Sequence, residues 1–139
     1  MSGSDRLEAG DRVELNFPAR ADLVVLARLV ASAICARAGC DIEELEDMRL
    51  AVGELCLLTM PDGDAQHGEL RLEVQVLRDG LEVSCTLAGA TGAVGHDDGA
   101  ISTELSTQIL DALVDEHGID RHDAFVRAWL RKRRMVHAE

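Results

Sequence analysis

Residues 48–60 read MRLAVGELCLLTM, and after Arg49 a single acid, Glu54, stands among apolar residues, one glycine and one threonine. The run continues a pattern that begins at Ile42. Ile42, Leu45, Met48, Val52, Leu55 and Thr59 recur at the spacing of one helical face. Asp41 stands before the first of them and Glu44 follows three residues later, the carboxylate form of a capping box. Pro61, opening PDGD, ends the helix. A helix turns about 100° per residue, so with Ile42 at zero the apolar face centres near ~260° and Glu54 falls near ~120°. Early in the helix the side away from that face carries Glu43, Glu46 and Asp47. Later it carries Leu50, Leu57 and Leu58, the helical neighbours of Glu54. The carboxylate therefore sits where the helix turns apolar on both sides. It is either an acid at the rim of a packed helix or a proton-transfer group at the edge of a cleft.

Working outward, Asp22–Ala38 reads as a second helix, with Leu23, Leu26, Val30 and Ile34 on one face and Gly39 at its C-terminal end. RVELNFPA, residues 12–19, alternates Val13, Leu15 and Phe17 with Glu14 and Asn16, a half-buried strand ended by Pro18. ELRLEVQVL and LEVSCTL alternate as two further strands, and RDG between them is a hairpin signal. AGATGAVGHDDG reads as a flexible connector. Ser102–Glu116 is predicted helical, with Leu105, Ile109, Ala112 and Leu113 on one face and Gly118 as its stop. AFVRAWLRKRR alternates Phe125, Arg127, Trp129 and Arg131 and reads as a strand, with a basic helix as the alternative. The order strand, helix, helix, strand, strand, helix, strand predicts an α+β fold. It is a two-layer sandwich, a mostly antiparallel sheet covered on one face by about three helices. Residues 1–10 are expected to be a flexible N-terminus, 11–132 one domain and 133–139 a tail.

The 139 residues suit one compact core. Aromatics make up only 2% of the chain, so that core is built from aliphatic side chains. A net charge of −12 disfavours the phosphate backbone, which argues against direct nucleic-acid binding and for a basic protein partner. RAWLRKRR, from Arg127 to Arg134, concentrates positive charge and reads as a solvated end rather than a binding patch. No signal peptide opens the chain and no apolar run reaches the roughly 20 residues of a membrane span, so a cytoplasmic protein without membrane contact is expected. Cys35, Cys40, Cys56 and Cys85 form no C-x-x-C, and no histidine stands at zinc-finger spacing from them. They are expected to be buried, reduced thiols. His67, His96, His117, His122 and His137 fall in predicted loops or the tail. GHDDG, around His96, is read as a solvated loop, so no metal is expected.

VELNFPAR, the two helices, LEDMRLAVGELC, the hairpin and QILDALVDE together resemble the anti-sigma regulatory factor family, serine-kinase-like switch proteins of bacteria. The resemblance runs from about Arg12 to Arg131, and RLAV-x-E-x-C is closest to the actinobacterial branch. It implies the histidine-kinase-like ATPase fold. In active members the second helix carries a Glu taken as general base and, four residues on, an Asn that holds Mg²⁺. Glu54 matches the first and Leu58 stands in place of the second. The family's Asp-x-Gly-x-Gly falls on LAGAT, where Leu87, or Ala88 after a one-residue shift, replaces the Asp, Gly89 is kept and Thr91 replaces the second glycine. Its Gly-x-Gly-Leu-Gly falls on STELS, where Ser102, Glu104 and Ser106 take the glycine places and Leu105 is kept. Glu104 puts negative charge where a triphosphate would sit.

What the resemblance implies is an anti-sigma-factor-like regulator of transcription and the stress response. It would sequester a sigma factor, be released through an anti-anti-sigma partner and form a homodimer. The nucleotide site at Glu54, Leu58, Gly89 and Leu105 would be degenerate, with no cofactor. The alternative is an active serine/threonine kinase of the anti-anti-sigma factor, using ATP and Mg²⁺ with Glu54 as base. A third reading is a pseudokinase scaffold with other partners.

Overall fold

A computed structural model describes residues 6–60, 68–88, 98–122 and 124–133, with side chains 98–103 outside the description. In chain order the elements are β1 (Arg12–Pro18), a single 3-10 turn (Ala21–Leu23), α1 (Val24–Arg37), α2 (Ile42–Thr59), β2 (Glu69–Leu77), β3 (Gly80–Ala88), α3 (Asp98–Leu113), β4 (Glu116–Arg121) and β5 (Phe125–Arg133). The strands form one sheet in the order β1-β2-β3-β5-β4, antiparallel at every pairing. The fold is α+β, as expected.

Alternation explains which way the sheet faces. Leu70, Leu72, Val74 and Val76 of β2 and Leu81, Val83, Cys85 and Leu87 of β3 are all buried. The register joins them into rows such as Leu15, Leu72, Cys85, Ala128 and Ile119. The opposite face carries the intervening polar residues, and ion pairs cross it: Arg12 to Glu73, Arg131 to Glu82 and Glu116, and Arg127 to Asp120. α2 lies over β3 and β5, α1 lies beside it over β2, and α3 flanks its other side.

α2 begins and ends where the sequence places it. Asp41 accepts from the Glu44 N–H at 2.7 Å and Glu44 returns a bond to the Asp41 N–H at 2.8 Å, a complete capping box. Gly39 ends α1 at φ 95°, a left-handed conformation that a side chain would strain. Lys132, on β5, caps the far end of α3 through the Leu113 carbonyl at 2.7 Å, and its ammonium lies 3.6 Å from Asp47 of α2.

Several expectations are corrected. Ile42 is 81% exposed because it stands about 100° from the centre of the buried face, at the first helical residue. The buried side of α1 is Val24, Ala27, Ala31, Ile34 and Cys35, so Leu26 faces outward. α3 starts at Asp98 and ends at Leu113, and Gly118 lies within β4, a strand the pattern did not reveal. There it gives room to the indole of Trp129 on β5; a Cβ at residue 118 would sit 2.8 Å from the indole nitrogen. His117 belongs to β4 rather than a loop, and it pairs with Asp111 of α3 at 2.5 Å. The basic run around Arg127 and Arg131 is strand β5, as its alternation indicated, and its arginines stay partly exposed with acidic partners beside them. Cys35 and Cys40 are joined in a disulfide, whereas Cys56 and Cys85 are free and buried.

Candidate functional site at the α2–α3 seam

On α2 the buried arc is wide because three neighbours share it: the sheet below, α1 on the Gly53 side and α3 on the side of Ala51 and Leu58. Glu54 falls at the edge of that arc, half-buried, between the solvent and α3. Its carboxylate Oε1 accepts a hydrogen bond from Ser106 Oγ at 2.8 Å. Ser106 is itself buried, one turn before Leu110, which anchors α3 in the core. A half-buried carboxylate bound by a hydroxyl keeps acceptor capacity and stays reachable from outside.

The other predicted site residues are not all brought to this place. Leu58 lies one turn beyond Glu54 but is turned inward, only 4% exposed. Leu105, adjacent to Ser106, is 58% exposed rather than on the buried face of α3, since Ser106 and Leu110 occupy that phase. Leu87 is a buried core residue of β3, and Ala88 is the exposed last residue of that strand. Gly89 and Thr91 lie outside the described residues, as do His67, His96 and His137.

Two features bear on what such a seam can hold. Mg²⁺ takes oxygen ligands. The side chain one turn from Glu54 is the buried aliphatic Leu58, so these residues do not fit that ion. A phosphate cradle needs backbone N–H groups free of helix bonds, as at a helix N-terminus. STELS lies inside α3, where from about Ser102 onward the amides are committed to the helical ladder. Among the described residues no group of three or more His, Cys, Asp and Glu side chains converges as a metal site. A hollow of ≈ 370 Å³ lies elsewhere, between Arg6–Ala9, Ala38 and Val76–Arg78.

Sequence reasoning found Glu54 and named Ser106 only as a replaced glycine. The signal for their bond was the phase of α3: Ser106 and Leu110 share a face, which places the hydroxyl inward. It missed Arg28 of α1, whose guanidinium lies over Gly53; a Cβ there would stand 2.5 Å from Arg28 Nε. No pattern in α1 marked that contact.

The chain belongs to the histidine kinase-like ATPase domain family, which matches residues 17–126. It is 32% identical over 80 residues to the serine-protein kinase RsbW of Bacillus pumilus, covering 55% of this chain and 49% of that protein. It is 35% identical over 75 residues to the RsbW of Listeria innocua, covering 52% and 48%, and 32% identical over 75 residues to that of Bacillus subtilis, covering 52% and 47%. The chain thus spans about half the length of these curated relatives. Among the described residues no helix is long and apolar enough to cross a membrane.

Proposed function

We propose that this protein is an anti-sigma-factor-like regulator that keeps the ATPase scaffold and has lost ATP binding and kinase activity. It binds and sequesters a sigma factor as a cytoplasmic homodimer and is released through an anti-anti-sigma partner. The observation that carries the loss of chemistry is the Ser106 to Glu54 bond at 2.8 Å beside the inward Leu58. The base position is held by α3, and its neighbour brings no oxygen to a cation. Phosphoryl transfer depends on positioned cations and amides around the phosphates, so removing both removes most of its electrostatic stabilisation. The scaffold survives such losses, because the packing of α2 does not need the site. The similarity to kinases named RsbW supports the regulatory class.

Calorimetric titration with Mg-ATP, followed by co-purification from the native cell, tests this. The expected result is no micromolar nucleotide binding and recovery of a sigma factor. The second reading, an active serine kinase, is favoured by one observation: Glu54 is only half-buried, so its carboxylate stays reachable from outside. It is the correct one if Mg-ATP binds and phosphate appears on a serine of the co-purified partner. Recovery of neither a sigma factor nor an anti-anti-sigma protein would leave the pseudokinase scaffold with other partners.

A further inference from the structure

The corner between α1 and α2 carries chemistry that the α2–α3 seam does not use. Cys35 lies in the last turns of α1, Cys40 lies just before the Asp41 cap of α2, and a disulfide joins them. The backbone between them makes a complete Schellman turn: the Cys40 N–H donates to the Cys35 carbonyl at 3.0 Å and the Gly39 N–H to the Ala36 carbonyl at 3.3 Å. Such turns are usually sealed by an apolar contact between the same two positions. Here the sulfurs occupy them. We propose that Cys35 and Cys40 form a reversible thiol–disulfide site, in which Cys40 is the attacking thiol, Cys35 the resolving one, and a low-molecular-weight disulfide the oxidant.

Three observations support this assignment. The corner does not depend on the bond. Its ends are five residues apart, a short loop whose closure constrains the unfolded chain little. The Schellman bonds, the capping box of α2 and the Leu7 N–H on the Arg37 carbonyl at 3.1 Å hold it independently. The two sulfurs also differ in access. Cys35 is fully buried, while Cys40 is half-buried and stands just outside the first turn of α2, where an incoming disulfide can reach it first. Finally, the remaining thiols are withdrawn from this chemistry. Cys56 and Cys85 lie buried 3.7 Å apart beneath α2, and the contact with Cys85, then burial, push the Cys56 thiol well above its ordinary range.

The reaction balances without other reagents. The Cys40 thiolate attacks one sulfur of the oxidant, forming a mixed disulfide and releasing one thiolate. Cys35 gives its proton to the released thiolate and attacks the Cys40 sulfur, closing the protein disulfide and releasing the second thiolate, so the oxidant gains the two electrons that the dithiol loses.

Treating the folded chain with dithiothreitol, then oxidised glutathione, tests the site. Alkylation after denaturation is expected to find two thiols in the oxidised protein and four in the reduced one. The reduced chain should keep one cooperative melting transition, with Tm lowered by no more than roughly 10 °C. With oxidised glutathione, Cys35→Ser should accumulate a glutathione adduct on Cys40, and Cys40→Ser at least about tenfold less on Cys35. Peptide mapping of the wild-type chain, quenched with acid early in reoxidation, gives the same reading should a serine variant misfold. A bond that opens only on unfolding, a reduced chain that does not fold, or adducts formed equally on both cysteines would each overturn the proposal.

Discussion

α2 has a neighbour on either side, and the two borders are built differently. Toward α1 the contact is close and largely apolar. Ala27 and Ala31 are fully buried along α1, Gly53 of α2 lies directly under the Arg28 side chain, and the far end is tied at Cys35 and Cys40. Toward α3 the described buried side chains are Ser106 and Leu110, and a half-buried hydrogen bond from Ser106 to Glu54 crosses the border. Small residues let two helices approach until their backbones set the spacing, whereas a hydroxyl–carboxylate bond can exchange for water at modest cost. The side of α2 that bears Glu54 is therefore the more weakly closed one.

Substitutions can break this contrast. Leu110→Ala removes the apolar anchor of α3 and should cost about 3 kcal/mol, read from urea unfolding. A loss below about 1 kcal/mol would mean that α3 is held elsewhere. Ala31→Leu forces a larger side chain into the α1 border and should cost about 2 kcal/mol by the same measurement. If it is neutral, that border is looser than the buried alanines indicate. Ser106→Ala should cost about 1 kcal/mol and free the Glu54 carboxylate. If Mg-ATP binding appears in that variant, the hydroxyl alone was closing the site. Arg127→Gln on the open face of the sheet serves as a control. Its pair with Asp120 spans 3.9 Å with both side chains exposed, so the change should stay under about 0.5 kcal/mol.

Much of this architecture was legible from local chemistry. The helix from Ile42 to Thr59 was fixed by the Asp41 and Glu44 cap at one end and Pro61 at the other, and strands β1 to β3 by clean alternation. What escaped depends on contacts between distant residues. EHGIDR has one large aliphatic residue, Ile119, and becomes a strand through pairing with β5. In α1 the leucines outweigh the alanines in any hydrophobic pattern, yet Ala27 and Ala31 are buried while Leu26 and Leu29 are exposed. Cys35 and Cys40 stand five apart, a spacing that neither a helix nor a strand brings together, and the left-handed turn at Gly39 is what sets their Cα atoms 5.3 Å apart. At the candidate site the identity of Glu54 was readable from sequence resemblance. Its partner was not, because the phase of α3 at Ser106 follows from packing.

The open face of the sheet has a consequence for how other molecules meet this one. Its described residues set Arg12, Arg71, Arg127, Arg131 and Arg133 against Glu14, Glu69, Glu73, Glu82, Glu116 and Asp120, so that surface is nearly neutral although the chain carries −12. Exposed acids such as Glu43, Glu46 and Glu104 belong to the helical layer instead. Among the described residues the acidic excess thus lies on the helical layer, and a cationic visitor should be drawn to that layer first. Its association rate should fall steeply with added salt and drop on Glu43→Gln with Glu46→Gln, while Glu14→Gln leaves it unchanged. Equal sensitivity at all three positions would show that the field has no preferred side.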